Sequence, residues 1–200
     1  MTSAVEPLPV ASGRQRLAPD ERRTAIVEAV VALLASRGPA VTSAEIADAA
    51  GIAQGTIFHA FADKQALIDA VVTHVMDVDD LIASLEALDR VPVLEDRLAT
   101  CAALVIAHME RMIPTVMKCG LPAGLDADRH PGVKLQQAIT TLMEPDAAML
   151  AHPPVQLAAV FFGLCVASAQ QVALGETPTM PSPRELVELF LDGARVRSVL

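Results

Sequence analysis

The segment TSAEIADAAGIAQGTIFHAFADK, residues 42–64, concentrates side chains that can bind nucleic acid. Amide, imidazole and hydroxyl groups can read base edges or hold phosphate oxygens, and an ammonium group binds phosphate through its charge. The residues that carry these groups are Gln54, Thr56, His59 and Lys64. Gly55, a small residue, and Phe58, an aromatic one, lie among them in the sequence. Binding of a nucleic acid is therefore the first chemistry that this sequence suggests.

The same segment predicts two short helices, Ala44–Ala50 and about Gln54–Ala60, joined by a turn at Gly51. Such short helices bury little surface on their own, so their apolar residues must pack against neighbouring helices. These residues are Ile46, Ala47, Ile52 and Ile57. The outer face of the second helix then has no core to fill, which is typical of a helix-turn-helix that enters the major groove. The alternative is a solvated surface, because short helix pairs occur in many all-α proteins.

Two longer helices are predicted to position this pair. The first spans about residues 19–37, and its apolar residues recur at helical spacing. They are Ile26, Val30, Leu33 and Leu34. The second begins near Asp63 and keeps the helical period as far as Leu88. We therefore expect one continuous helix over residues 63–88, ended by the Arg-Val-Pro sequence at 90–92.

The rest of the chain predicts further helices separated by loops rich in proline, glycine and aspartate. The helices are Val93–Met117 with a kink at Pro114, Val133–Leu150 with an interruption at Pro145, Val155–Leu174, and Pro183–Val196. The loops are Leu121–Gly132 and Gly175–Ser182. No strand pair, repeat or low-complexity segment is present in the sequence, so we expect an all-α fold.

The composition agrees with a helical cytoplasmic protein. Hydrophobic residues make up 52% of the chain, yet there is no Trp, no Tyr and only 5 Phe, so the core must be mainly aliphatic. The N-terminus lacks a signal-peptide pattern, and the apolar stretch 157–167 is shorter than the roughly 18 residues of a membrane span. Three cysteines without a CxxC pair argue against a disulfide framework or a zinc ribbon.

The net charge of −9 is at first sight unfavourable for DNA binding, because phosphate contacts supply most of the non-specific affinity. The charge is unevenly distributed. Residues 1–75 carry six basic and eight acidic side chains, whereas residues 76–200 carry nine basic and sixteen acidic ones. Most of the acidity is therefore expected away from the helix-turn-helix.

The sequences RRTAIVEAVVALLASRG and TSAEIADAAGIAQGTIFHAFADKQALIDAVV are similar in spacing and residue type to the DNA-binding domain of the TetR (tetracycline repressor) family. The similarity covers about Arg22 to Val72, and beyond it rests on helix number and lengths and on the final PSPRELVELFLDGA. The resemblance implies a disordered arm over 1–18, a three-helix DNA-binding domain over 19–65, and a helical ligand-binding and dimerisation domain over 66–200.

The resemblance also implies roles for individual residues. Gln54, Gly55 and His59 would contact base edges or the groove. Thr42, Thr56 and Lys64 would contact phosphates, and Phe58 would lie beside them. Further backbone or minor-groove contacts would come from the arm and the first helix, through Arg14, Arg16, Arg22 and Arg23.

Three positions depart from the commonest pattern of that family. Ala53 stands where a serine caps the recognition helix, Phe58 where a tyrosine hydroxyl touches phosphate, and Ala60 where a histidine is frequent. Each change removes a hydrogen-bonding group, and a lost cap alone costs about 1 kcal/mol. These departures favour the alternative that the chain is a helical protein that binds a small molecule or lipid and no longer reads DNA specifically.

A ligand site and a dimer interface are expected in the second part of the chain. Methionines adapt to variable ligands, although they are more often core residues, and an isolated histidine is more often structural. The candidate ligand-binding residues are His74, Met76, His108, Met109, Met112, Met143 and Phe161. Apolar stripes on the last two helices suggest a four-helix dimer interface. The candidate dimerisation residues are Phe162, Gly163, Val166, Leu186, Phe190 and Gly193.

Other polar groups are not assigned a function. Asp126, Asp128 and His130 have metal-ligand types at short spacing, but loop polarity explains them without a metal because no further ligand cluster is in view. The sequence shows no nucleophile with an adjacent base, no phosphate loop and no paired catalytic carboxylates, so an enzyme is not expected. No cofactor is expected either.

Together these observations predict a homodimeric transcriptional regulator that binds double-stranded operator DNA. It is expected to be a repressor that releases the operator when a small apolar or amphipathic effector binds the C-terminal domain. We expect no association with a membrane.

Overall fold

The computed structural model describes residues 18–121, 130–173 and 181–194, and in these ranges the chain forms helices and short 3₁₀ turns without a β-strand. The helices are α1 Pro19–Arg37, α2 Ser43–Ala50, α3 Gln54–Ala60, α4 Lys64–Val75, α5 Asp79–Glu86, α6 Leu94–Cys119, α7 Pro131–Met143, α8 Pro154–Ala173 and α9 Pro183–Ala194. The expected all-α fold is confirmed.

Helices α1 to α4 enclose the first hydrophobic cluster. In α1 the fully buried residues lie four apart, so one face of the helix points inward. They are Ile26, Val30 and Leu34. They pack with the buried faces of the three following helices, including Ile57 of α3 and Leu67 of α4. The two short helices are thus held by α1 and α4, as the sequence predicts.

A second, larger cluster surrounds α6. This helix packs against α8, α9 and α7, and its buried side chains repeat at helical spacing. The cluster includes Leu98, Val105, Leu135, Phe161 and Leu191. Arg97 lies within this part of the molecule at 3% exposure, so the core holds a charge as well as apolar groups.

The continuous helix expected over residues 63–88 is wrong: α4 ends at Val75 and α5 begins at Asp79. An Asp77 side-chain oxygen accepts the Asp79 N–H at 3.0 Å, which satisfies a helix N-terminus in the middle of the expected run. The residues on the two sides of this break are buried in different hydrophobic clusters. Leu67 to Val72 of α4 belong to the first cluster, whereas Leu85 of α5 belongs to the second.

Two prolines have different effects. Pro114 lies inside α6, which continues for 26 residues from Leu94 to Cys119. Pro145 follows the end of α7, and the chain continues as a 3₁₀ turn over Glu144–Met149. The expected arm up to residue 17, most of the loop 121–132 and the last residues after Ala194 lie outside the described residues.

Helix α8 is the most apolar element. Its 18-residue window Pro154–Gln171 is long and apolar enough to cross a membrane, judged by length and composition only. This window is longer than the apolar stretch 157–167 that the sequence shows. A core helix of a soluble protein passes the same test, and α8 contributes Ala158, Phe161 and Cys165 to the second cluster. Only 33% of the window is buried, so the opposite side of α8 is an exposed apolar face.

Candidate DNA-binding surface and interhelical cavity

Thr42 and Glu45 fix the start of the helix-turn-helix. The Thr42 hydroxyl accepts the Glu45 N–H at 3.2 Å, and the Glu45 carboxylate accepts the Thr42 N–H at 2.8 Å, which is a reciprocal capping box. The Thr42 N–H and hydroxyl, together with the Arg37 guanidinium, lower the pKa of the Glu45 carboxyl. Thr42 therefore caps α2 through its side chain and backbone, and it is exposed at the surface.

Gly51 forms the turn between the two short helices. Its φ of 63° and ψ of 32° lie in the left-handed region, where a side chain would be strained. The Ile52 N–H then bonds to the Ala47 carbonyl at 3.0 Å, which closes the end of α2. This geometry directs the chain into α3 at an angle to α2.

The outer face of α3 is exposed, whereas its inner face is anchored. Ile57 is 2% exposed and belongs to the first cluster. Thr56 is half-buried, while Phe58 is 51% exposed, a large value for a phenyl ring. The remaining exposed residues of this face are Gln54, Gly55 and His59. The structure therefore brings together the residues that the sequence assigns to the DNA groove.

Ala53 precedes α3 without a side-chain cap, as its type requires. The Thr56 N–H bonds to the Ala53 carbonyl at 2.8 Å, so only the backbone closes the first turn. An α3 without a cap is expected to be less firmly held at its N-terminal end than α2.

Two cations expected to touch phosphate are also tied within the domain. The Arg23 guanidinium donates to the Ala60 carbonyl at 2.9 Å and lies 4.3 Å from the centre of the Phe61 ring. Lys64 Nζ donates to the carbonyls of Pro39 and Val41, at 2.8 and 3.1 Å.

These two side chains hold the end of α3 and the loop before α2, and sequence reasoning missed these internal bonds. Their charges still lie on the helix-turn-helix, where they favour an approaching phosphate. Arg22 is exposed on α1, whereas Arg14 and Arg16 lie outside the described residues.

A cavity of about 580 Å³ lies where the two hydrophobic clusters meet. Its walls are formed by α1, the last turn of α4, the short link between α4 and α5, α5 itself, and α6. The lining residues that carry charge or a polar group are Glu28, His74, Asp77, Asp80, Ser84, His108 and Arg111. Val31, Val75, Leu81, Leu104 and Ala107 supply the aliphatic wall.

Only two of the candidate ligand-binding residues, His74 and His108, line this cavity. Met109, Met143 and Phe161 are buried in the second cluster, and Met76 is buried in the first. Met112 is half-buried and packs against both clusters. The sequence signal that could have indicated the cavity is the acidic run at 77–80, which interrupts an otherwise apolar helix.

His108 is the least exposed ionisable group of this cavity. Its side chain is 7% exposed, and Nε2 has no hydrogen-bond partner among the described residues. Burial lowers the pKa of His108, the neighbouring Arg111 charge lowers it further, and Asp77 acts in the opposite direction. The imidazole is therefore neutral at pH 7 and leaves one buried nitrogen unsatisfied.

The candidate dimerisation residues divide into two groups. Leu186 and Phe190 are buried in the chain's own second cluster, and the Phe190 ring centre lies 5.0 Å from that of Phe161. Phe162 and Val166 are half-buried, while Gly163 and Gly193 are exposed.

The exposed apolar face of α8, which we call the α8 face, consists of Val160, Gly163, Leu164 and Ala167. Leu189 on α9 is 67% exposed.

Other chemistry finds little support in the described part of the chain. No group of three or more His, Cys, Asp or Glu side chains there could hold a metal ion. His130 Nδ1 accepts the Gly132 N–H at 3.1 Å and caps α7, while Asp126 and Asp128 lie outside the described residues. Burial raises the pKa of Cys101 and raises that of Cys165 to about 12, so neither thiol is a reactive nucleophile at neutral pH.

The fold and this surface define a helix-turn-helix protein whose second part is also helical. Residues 26–71 match the family described as bacterial regulatory proteins, tetR family. The HTH-type transcriptional repressor KstR2 of Rhodococcus jostii (strain RHA1) is 39% identical over 57 residues, which are 28% of this chain and 28% of that protein. The match to this curated relative thus spans little more than a quarter of its length.

Solved structures extend the likeness to most of the chain. A protein from Mesorhizobium loti, described as a TetR-family transcriptional regulator, aligns with a TM-score of 0.65 at 20% identity, over 90% of this chain and all of that one. A second structure, described as the molecular basis for control of antibiotic production by bacterial hormones, aligns with a TM-score of 0.66 at 17% identity. The alignment covers 87% of this chain and 97% of that one. These two likenesses concern the fold. With the match over residues 26–71, they confirm the resemblance found in the sequence: residues 26–71 match the DNA-binding domain of the tetR family, and the described helices have the fold of tetR-family regulators.

Proposed function

We propose that this protein is a homodimeric repressor that binds operator DNA through α3 and releases it when a small molecule binds. The observation that carries the DNA-binding part is the outer face of α3. Gln54 and His59 offer hydrogen bonds there, and Phe58 exposes half of a phenyl ring. A folded domain gains nothing from an exposed ring of this size, whereas a contact with a groove or a phosphate-sugar backbone would cover it.

The proposed division of labour follows the two clusters. Residues 19–65 would form the DNA-binding domain and residues 66–200 the ligand-binding and dimerisation domain, while the expected arm up to residue 17 lies outside the described residues. Helix α4 connects the parts, because its buried face belongs to the first cluster while its last turn lines the cavity. We place the protein in the cytoplasm, where its DNA lies, and propose no membrane partner.

Two copies are needed to place two α3 helices in successive major grooves, about 34–36 Å apart. We propose that the α8 face and Leu189 form the interface, and that Leu186 and Phe190 support it from within the chain. The support is the exposed apolar character of the face, with Val160 58% and Leu164 39% exposed. Gly163 on the same face would allow close approach of a second helix.

The switch that we propose depends on the position of the cavity. Its walls come from α1 and α4, which carry the helix-turn-helix, and from α5 and α6, which belong to the second cluster. An amphipathic molecule between these walls would rotate one part against the other and change the spacing of the α3 helices. To release DNA nearly completely it must favour the released state by roughly 5 kcal/mol per dimer.

The DNA-binding proposal is tested by gel shift with the DNA that flanks the protein's own reading frame. Gln54→Ala is expected to relax selectivity at one base pair by about 1–3 kcal/mol, whereas Lys64→Ala should weaken all sequences alike and flatten the salt dependence. Gln137→Ala and Lys134→Ala, exposed on α7, are the matched controls and should change nothing. Uniform weakening by Gln54→Ala would place that residue on the backbone instead.

The dimer proposal is tested by light scattering at micromolar concentration. Leu164→Asp should give a folded monomer, because a carboxylate on the α8 face cannot be buried without a partner. Val93→Asp, at an exposed position before α6, is the control and should stay dimeric. Phe190→Asp should instead unfold the chain, since Phe190 packs on Phe161. A monomeric wild-type protein, or a dimeric Leu164→Asp variant, would contradict this interface.

A second candidate is a helical protein that binds a small molecule and no longer reads DNA specifically. The uncapped start of α3 at Ala53 favours it, as does Phe58 in place of a hydroxyl-bearing ring. It predicts that every DNA sequence binds with the same affinity and that Gln54→Ala has no effect on sequence preference. The same gel shifts therefore separate the two functions.

A further inference from the structure

We infer that the cavity between α1, α4, α5 and α6 binds an aliphatic amine in its protonated form. The inference rests on the ligand-responsive part of the proposed function and names the chemical class of that ligand. It does not require that the chain bind DNA.

The first observation is the charge of the lining. Glu28 on α1, Asp77 before α5 and Asp80 on α5 face one cavity, and the guanidinium of Arg111 is the single permanent cation among the lining residues. No ion pair joins these four groups in the described part of the chain. Three carboxylates against one guanidinium give the lining a net negative charge, and because all four side chains are exposed, water and salt screen part of their field.

The second observation is His108. Its side chain lines the cavity and is more than nine-tenths buried, and its Nε2 has no hydrogen-bond partner in the part of the chain that the structure describes. Leaving a buried polar atom unpaired is costly, so a ligand that supplies the missing hydrogen bond gains affinity. A neutral imidazole whose proton is on Nδ1 accepts a hydrogen bond at Nε2, and an ammonium N–H is a suitable donor.

The third observation is the shape and chemistry of the remaining wall. Val31, Val75, Leu81 and Leu104 surround the polar groups, and the described lining contains no Phe ring on which a flat cation could stack. An alkyl chain fits such a wall, whereas cation–π binding needs an aromatic face. The volume of about 580 Å³ lies within the range of ordinary small-molecule sites.

These observations assign a position to each part of the ligand. The ammonium group would donate to His108 Nε2 and lie among the carboxylates of Glu28, Asp77 and Asp80. These carboxylates must outweigh the charge of Arg111, which acts on His108 more strongly than that of Asp77. The alkyl part would lie against the valines and leucines. An anionic ligand of the same length would meet three carboxylates, so the site should discriminate by charge more than by length.

The inference is tested by calorimetric titration of the full chain, without DNA, with three probes of equal length: hexylamine, hexanol and hexanoate. Hexylamine should bind at least about tenfold more tightly than hexanol, and hexanoate should not bind detectably. Equal binding of hexylamine and hexanol, tighter binding of hexanoate, or no binding of any probe would each overturn the inference.

Variants locate the binding. Asp80→Asn keeps the shape and removes one charge, so it should weaken hexylamine about three- to tenfold and leave hexanol unchanged. Asp192→Asn, an exposed carboxylate on α9, is the matched control and should bind hexylamine like the wild type. His108→Gln should also weaken hexylamine, with circular dichroism confirming that each variant is folded. Equal losses in Asp80→Asn and Asp192→Asn would place the amine elsewhere.

This experiment and the gel shift fail separately. If the chain binds hexylamine but no DNA, the amine site is supported and the proposed regulatory function is contradicted. If the chain binds its operator but none of the three probes, the regulatory function is supported and the amine site is contradicted.

Discussion

The region from α2 to α4 and the region from α5 to α7 fix their helices by different means. In the first, short-range groups determine where helices begin and end: Thr42 caps α2, Gly51 turns the chain, and the Asp63 carboxylate accepts the Ala66 N–H at the start of α4. Partners lie three residues apart or adjacent in sequence. Local chemistry therefore specifies the starts of α2 and α4 and the turn between α2 and α3, while Arg23 and Lys64 add longer-range bonds.

In the second region, residues far apart in sequence join the helices to one another. Side chains of Asp77 and His130 bond to the first turns of α5 and α7, but Val93 precedes the long helix α6 without a side-chain cap. Arg97 instead donates to the Val91 and Leu142 carbonyls, at 2.8 and 2.9 Å, and pairs with Asp146. One buried cation thus joins the start of α6 to the end of α7, which a capping residue cannot do.

The largest effect that distinguishes the two regions is expected from Arg97→Ala. The change removes two hydrogen bonds and leaves the Asp146 carboxylate poorly solvated, so the free energy of unfolding should fall by about 3 kcal/mol or more. Arg184→Ala breaks an exposed pair with Asp96 and should cost less than about 1 kcal/mol. Urea unfolding measures both. Similar losses in the two variants would mean that the buried pair does not organise the second region.

A smaller effect is expected from the caps of the first region. Thr42→Ala should reduce the free energy of unfolding by about 1 kcal/mol, because it removes the hydroxyl that accepts the Glu45 N–H. Ala53→Ser should raise it by up to about 1 kcal/mol by giving α3 the cap that it lacks. Thr73→Ala, on the exposed side of α4, is the control. A loss of stability in Ala53→Ser would show that α3 begins in a geometry that a serine cannot cap.

The difference between the two regions also explains what the sequence could predict. The ends of α1, α2 and α3 agree closely with the predicted ones, because proline, threonine and glycine mark them locally. The inward position of Ile57 and the exposure of Gln54 and His59 follow from helical spacing alone. Their contacts with DNA stay a prediction.

The remaining features depend on contacts between distant residues. The break between α4 and α5 was missed because Val75, Val78 and Ile82 keep the helical period across it. Glu28 and Arg111 meet in one cavity only because α1 packs against α6, and no spacing in the sequence shows this. The sequence suggests a ligand site for the methionines, whereas Met109 and Met143 fill the second cluster, which agrees with the commoner role of such residues.

The smallest expected effect is a pH dependence at the boundary between the two regions, and it comes from His108. Burial and the Arg111 charge lower the pKa of His108 below its ordinary value of about 6.5, whereas Asp77 opposes this shift. As the pH falls below about 6.5, the unfolded chain takes up a proton that the folded chain does not. The free energy of unfolding therefore falls with pH until the lower folded pKa is reached.

The groups that face His108 from every wall of the cavity, and which can modify this dependence, are Glu28, His74, Asp77, Asp80 and Arg111. The check is urea unfolding at pH 7.5, 6.5 and 5.5 for the wild type and for His108→Gln. The variant should lose part of the decline between pH 6.5 and 5.5, whereas His152→Gln, an exposed control, should keep it. The carboxyls of Glu45 and Glu185 have a lowered pKa and act below pH 4.5, outside this window. Identical slopes in the wild type and His108→Gln would mean that His108 takes up its proton equally in the folded and unfolded chains, so that its burial does not disfavour the charged form.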